Sequence, residues 1–305
     1  MAAPARTAFF GTPPAAVPSL AALAAATDVE LVVTRPDKPR GRSGKPKPPA
    51  VKEAAEAWGL PVVQPVRARE ITDLLDGLDL AVVVAYGQIL PAGVLAVPTL
   101  GFVNVHFSRL PRWRGAAPVA RAILAGDRTT GVDIMQLDEG MDTGPLISRR
   151  ELSITPTDTT GTLTARLAGI GADLLAETLP SILDSSAIRT PQDDSGVTIA
   201  GKLTSEEARI DPHSMTAEAI DRVVRAFNPN PGAWGSVDGQ RLKVWDTRVR
   251  PDLAVPSGQS EIIDGMPVVG TPEGAVELVE IQAAGKSRLA AEVWARGYRG
   301  ALLSD

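Results

Sequence analysis

Leu80-Ala-Val-Val-Val-Ala85 is a run of six apolar residues with no polar alternation. A strand with one wet face alternates. A strand this uniform must be covered on both faces, as in the centre of a parallel sheet flanked by helices. Thr7–Phe10 and Val29–Thr34 have the same texture. Between them the turn Gly11-Thr-Pro-Pro14 leads into helical spacing from about Ala15 to Ala25. Strand, turn, helix and strand in that order open a doubly wound α/β domain. The turn has one glycine and no Gly-x-Gly-x-x-Gly, so the dinucleotide fingerprint is missing.

Further elements fit the same plan. Ala50–Trp58 has helical spacing and stops at Gly59, a good residue just past a helix end. Pro118 suits the first turn of a helix running to Gly126, and Val132–Leu137 reads as another strand. Ile154–Leu183 supplies strand and helix material to close the domain. Residues 185–205 are polar and loosely patterned. Beyond them Thr216 caps a helix with Ile220, Val223, Val224 and Phe227 on one face, ended by Asn228-Pro-Asn-Pro-Gly232. Short strands follow at Gly235–Val237, Leu242–Trp245 and Val276–Ile281, with Asp238-Gly239 as a hairpin signal. The expected fold class is α/β: a doubly wound, mostly parallel-sheet domain over residues 1–188, a linker over 189–205, and a small OB-like β-barrel over 206–305.

At 305 residues, 44% hydrophobic and 22% charged, the chain has the make-up of an ordinary soluble protein large enough for two domains. It has no cysteine and only two histidines, His106 and His213, which excludes disulfides and leaves little for a metal site; none is expected. No apolar run reaches the ~20 residues that span a bilayer, and no signal-peptide pattern opens the chain. A cytoplasmic protein without membrane contact, a monomer by default, is the expectation. The net charge of −5 argues against non-specific coating of nucleic acid. Locally the balance reverses: Arg35–Lys52 carries seven basic residues against one acid, Asp37. Its prolines and glycines forbid a regular helix, so the charges sit on a loop. Most such runs are solvated surface; the sharper reading is a loop that grips RNA phosphates.

Chemistry concentrates in Gly101–Leu146. In an extended strand Phe102, Asn104 and His106 share one face, which puts an amide and an imidazole about 7 Å apart at the strand's exit into a loop. The loop Asp138–Gly144 brackets Asp142 between two glycines. An amide and an imidazole can stabilise an oxyanion, and a carboxylate beside the histidine can orient it or take a proton from an attacking amine. The bland alternative for His106 is a satisfied core histidine. A Ser108–His106–Asp142 hydrolase is weaker, because no Gly-x-Ser-x-Gly elbow surrounds Ser108. With no good nucleophile in the site, transfer between two bound substrates fits better than a covalent intermediate.

Asn104-Val-His106, Ser108-Arg-Leu-Pro111-Arg-Trp-Arg-Gly-Ala-Ala-Pro118 and Gly140-Met-Asp-Thr-Gly144 resemble the signature of the folate-dependent formyltransferases, most of all the branch acting on charged initiator tRNA. Gly11-Thr12-Pro13, Val84-Ala-Tyr-Gly87, Arg225-Ala-Phe-Asn-Pro229 and Leu242-Lys-Val-Trp245 extend the likeness over essentially the whole chain. The resemblance implies formyl transfer from 10-formyltetrahydrofolate to the amino group of methionyl-initiator tRNA, without a metal. It implies that Asn104 and His106 stabilise the oxyanion and Asp142 assists amine deprotonation. Ser108, Arg109, Leu110 and Pro111, with Tyr86, Gly87, Gln88, Ile89 and Leu90, would hold the folate. Arg40, Arg42, Lys45 and Lys47 would enter the tRNA acceptor arm, and the C-terminal barrel would hold the tRNA's flank. Phe107, Arg109 and Asn230 depart from the family's usual residues. A transferase for a small amine, such as a nucleotide sugar or a purine precursor, a degenerate RNA-binding module and a formylfolate hydrolase are the alternatives.

Overall fold

The computed structural model describes residues 3–39, 44–297 and Leu303. The chain divides into two compact units: Met1–Pro118 with Thr129–Ser153 and Thr164–Ala200, and Val119–Arg128 with Ile154–Leu163 and Gly201–Asp305.

The first unit is built on a seven-stranded sheet. In spatial order its strands are Leu146–Ser153, Thr129–Gln136, Phe102–His106, Leu80–Val84, Arg6–Gly11, Asp28–Val33 and Val62–Val63. The last five run parallel, and Thr129–Gln136 alone runs against its two neighbours, Phe102–His106 and Leu146–Ser153. Leu80–Val84 is buried throughout, as its lack of alternation requires. Leu146–Ser153 is the reverse: charged, half-exposed and at the sheet's edge.

The chain order turns back at Arg6–Gly11, whose neighbours are the strands Asp28–Val33 and Leu80–Val84. Loops at the carboxyl ends of strands beside such a reversal line the crevice where open α/β sheets bind ligands. Here the Thr12 hydroxyl donates to the Tyr86 carbonyl at 2.9 Å, tying the two loops together. Phe10, Tyr86 and Phe102 pack edge-to-face beneath, with ring centroids 5.3 and 5.2 Å apart from Phe10, as aromatic quadrupoles prefer. Phe102–His106 runs parallel to Leu80–Val84, so its exit loop leaves the same edge.

The stretch expected as a linker is bound to the first unit up to Ala200. Thr190 bridges Leu146, and Ile199–Ala200 pairs in parallel with Arg114–Gly115.

The second unit holds an antiparallel sheet ordered Ala233–Val237, Gln240–Arg250, Ala275–Ala283, Met266–Gly270 and Ser260–Ile263, with Leu289–Ala290 also paired to Ala275–Ala283. Asp238-Gly239 closes the first hairpin with φ of 50° and 72°, the left-handed pair this turn needs. Helix Ala217–Ala226 is capped by the Thr216 hydroxyl, which accepts from the Ala219 N–H at 3.2 Å, and buries Ile220, Val223 and Val224. Among the described residues no helix is long and apolar enough to cross a membrane.

Candidate active site

Asn104 and His106 are buried at 8% and 6% exposure, and the sheet edge turns both toward the loop that carries Asp142. The amide of Asn104 donates to Asp142 Oδ1 at 3.5 Å. His106 Nδ1 stands 3.7 Å from Asp142 Oδ2. On its other side His106 Nε2 lies 3.1 Å from the Trp113 carbonyl. A carbonyl only accepts, so Nε2 carries a proton and Nδ1 is the nitrogen turned toward the carboxylate. Asp142 Oδ2 also accepts the Gly115 N–H at 2.7 Å. Asn104, His106 and Asp142, singled out separately by strand period and loop chemistry, thus meet around one carboxylate.

Local backbone geometry sets that meeting. Asp142 has φ of 54° and Trp113 has φ of 66°, both left-handed and unfavourable for side-chain-bearing residues. Gly115 has φ of 124°, and a Cβ there would stand 2.9 Å from the Ala200 carbonyl oxygen. Its lack of a side chain lets the chain pass close to Ile199–Ala200 while its N–H reaches Asp142. A Cβ on Gly140 would meet Thr143 and one on Gly144 the Gln136 carbonyl, so the two glycines close the loop against its own strand.

The residues expected at the folate divide into two groups. The Tyr86 ring is in the core, 2% exposed, and its hydroxyl is buried without a partner among the described residues. Burial pushes its pKa up to about 12. The phenol therefore points inward, while the Tyr86 backbone stays at the loop. Arg35 donates to the Gly87 carbonyl at 2.6 Å and Gln88 to the Pro65 carbonyl at 3.3 Å, leaving Ile89 at the exposed tip, 90% exposed, and Leu90 buried. Ser108 is fully buried and donates to the Arg112 carbonyl at 2.8 Å, bracing the turn from within. Leu110 is buried as well, and Pro111 is half-buried. Arg109 turns to the sheet edge and pairs with Glu151 at 2.5 Å, so its guanidinium has an intramolecular partner. Phe107 is buried where Gly171 leaves room: a Cβ on that glycine would stand 3.4 Å from the ring.

Sequence reasoning missed what holds this turn. Asp133, fully buried, accepts from Arg149 Nε at 2.7 Å and Nη2 at 2.6 Å, and from the Leu110 N–H at 2.7 Å. Burial pushes its carboxyl above the ordinary range, against the pull of Arg149. It missed Gln192 as well, whose amide reaches the carbonyls of Asp142 and Gly144. An alternating Arg-Arg-Glu at an edge and a lone glutamine in a polar stretch give no periodic signal.

Arg40 and Arg42 lie outside the described residues. Lys45 and Lys47 are exposed, and the flanks of their loop pair as a two-residue ladder, Lys38 opposite Lys47. Lys52 is committed inside the unit to Asp37 at 3.1 Å and to Gln64 at 2.8 Å. Asn230 is exposed.

Comparisons with known proteins bear on this geometry. Residues 5–179 match the formyl transferase family and residues 202–299 match the formyl transferase C-terminal domain. The chain is 45% identical over 299 residues to the methionyl-tRNA formyltransferase of Streptomyces coelicolor, covering 95% of this chain and 96% of the relative. To that of Halorhodospira halophila it is 46% identical over 310 residues, covering 97% of each. Among solved structures, an N-formyltransferase from Helicobacter canadensis, in complex with folinic acid and dTDP-3-aminofucose, superposes with a TM-score of 0.71. It is 17% identical and covers 92% of this chain and 99% of that one, a likeness of fold.

Proposed function

The chain belongs to the formyl transferase family, in its methionyl-tRNA formyltransferase branch, and from that premise we propose that Asn104, His106 and Asp142 carry the formyl from 10-formyltetrahydrofolate to the amino group of methionyl-initiator tRNA. The product primes translation initiation, which places the enzyme in the cytoplasm. The observation that carries the assignment is the shared carboxylate: Asp142 lies 3.5 Å from the Asn104 amide and 3.7 Å from His106 Nδ1.

The roles follow from the donors and acceptors. An attacking amine must lose a proton, and the formyl oxygen must bear negative charge while the carbon is tetrahedral. The Asn104 amide has two N–H groups; one faces Asp142 and the second is available to the oxyanion. With Nε2–H on the Trp113 carbonyl, His106 Nδ1 faces the Asp142 carboxylate and donates to the same oxyanion in the imidazolium form, the form with a proton on each ring nitrogen. Asp142, held by the Gly115 N–H, accepts the amine's proton directly or through water, and the leaving folate nitrogen takes a proton in turn. Such oxyanion donors contribute about 10²–10³-fold each to turnover.

The folate is held by backbone more than by side chains. Its cradle is the loop from Tyr86 to Leu90 and the turn from Ser108 to Pro111, whose side chains at Tyr86, Ser108 and Leu110 point inward. Arg40, Arg42, Lys45 and Lys47 meet the tRNA phosphates. The catalytic domain runs past residue 188 to Ala200, and residues 206–305 form the second tRNA contact. That unit offers Arg241 3.8 Å from the ring of half-buried Trp234, a cation stacked on an indole of the kind RNA-binding surfaces use.

The acceptor is the test. Incubated with 10-formyltetrahydrofolate, the protein should formylate charged initiator tRNA and release tetrahydrofolate in equal amount. Transfer to a nucleotide-linked amino sugar, with none to charged tRNA, overturns the assignment.

A further inference from the structure

We propose that Gln192 and Arg114 are positioning residues for formyl transfer: together they fix the backbone that aims the Asp142 carboxylate. This rests on the reading of Asp142 as the group that takes the amine's proton.

The contacts form a closed ring. Gln192 Nε2 donates to the Asp142 carbonyl and to the Gly144 carbonyl, each at 2.8 Å. Gln192 Oε1 accepts from Arg114 Nε at 3.0 Å and from Nη2 at 2.8 Å. Arg114 is 8% exposed and is followed by Gly115, whose N–H donates to Asp142 Oδ2 at 2.7 Å. The Asp142 backbone carbonyl and its carboxylate are therefore both tied, by different routes, to Arg114-Gly115.

The chemistry of each member fits that duty. Asp142 sits at φ of 54°, a left-handed conformation that aspartate tolerates better than most residues but that its surroundings must still hold. Relaxation to negative φ swings the carboxylate away from Asn104 and His106. Two carbonyls spanning the loop need two N–H groups from one side, which a primary amide supplies and a carboxylate cannot. The amide must also face the right way. Two guanidinium N–H groups on Oε1 fix its orientation and leave Nε2 for the carbonyls; a lysine there has no such fork. Neither residue is needed to touch substrate in this arrangement; both act through Asp142.

A displacement of about 1 Å at a reacting group costs on the order of 100-fold in rate. Gln192→Leu and Gln192→Glu should therefore lower kcat about 10- to 100-fold, with KM for folate and for tRNA within about 3-fold of the original. The decisive arm repeats both substitutions in an Asp142→Asn background. If Gln192 works through Asp142, either costs less than about 2-fold there, whereas independent effects multiply. Should Gln192→Leu fail to fold, Arg114→Lys carries the same comparison, with tRNA affinity as the check on folding. Multiplying effects, or a raised KM with kcat unchanged, overturn the inference. If Asp142→Asn alone leaves kcat intact, the underlying reading of Asp142 falls instead.

Discussion

Replacing Arg149 with methionine should destabilise the first unit by about 3 kcal/mol at pH 8. The magnitude follows from what is left behind. Asp133 is fully buried and takes three N–H donors, two from Arg149 and one from the Leu110 backbone. Removing the guanidinium strands a buried carboxylate on one donor, a class of change that costs about 3–5 kcal/mol. A third of the Arg149 side chain meets solvent, which sets the expectation at the low end. Removing both partners, in Asp133→Val with Arg149→Met, leaves no stranded charge, only the Leu110 N–H without its acceptor and the Leu110 carbonyl without its Arg149 donor. The double variant should therefore be more stable than Arg149→Met alone.

The pH dependence sharpens this. Burial raises the Asp133 carboxyl, and without Arg149 that push loses its strongest opponent, leaving the Leu110 N–H to counter it. A carboxyl with a folded pKa above its unfolded one contributes stability that is present at low pH and lost as pH rises through the folded value. The deficit of Arg149→Met should shrink toward pH 5 and reach full size by pH 8. Urea unfolding followed by tryptophan fluorescence, at constant m, measures it. A deficit below about 1 kcal/mol at pH 8, or one equal at pH 5 and pH 8, refutes the argument.

Two further outcomes follow. Tyr86→Phe removes a buried hydroxyl without a partner among the described residues, so stability should hold or rise. It should also abolish a tyrosinate step near pH 12 in the ultraviolet titration; a loss of stability contradicts the placement of the phenol. Replacing Arg40, Arg42, Lys45 and Lys47 together with Ala should weaken tRNA binding and flatten its log–log salt slope by as much as about 3. An unchanged slope means these residues are only solvated.

Burial pattern made much of the fold legible. Leu80–Val84 could only be a central strand, and the period-two spacing of Asn104 and His106 already put both at one exit. Leu146–Ser153 was hidden because an edge strand beside solvent carries Arg149, Arg150 and Glu151 where apolar residues would mark it. The hairpin Ser260–Ile263 to Met266–Gly270 was missed for a related reason: its first strand is largely exposed. Within the site, residue types announced Asn104, His106 and Asp142, since their chemistry is intrinsic. Ser108 and Tyr86 turn their side chains inward, and residue type alone does not reveal this, because a polar side chain in a signature turn is as useful bracing the turn or filling the core as meeting a ligand. Gln192 and Asp133 acquire meaning only from what folding brings beside them, at carbonyls and a guanidinium far along the chain.

The central claim is that the carboxylate shared by Asn104 and His106 carries the proton chemistry of transfer to methionyl-tRNA. Its most direct measurement is the single-turnover rate of formyl transfer by Asp142→Asn, at saturating folate and charged initiator tRNA, with tRNA affinity measured on the same sample. The account predicts a fall of about 10²–10⁴-fold with affinity unchanged. A rate within about 3-fold of the unaltered protein would contradict it.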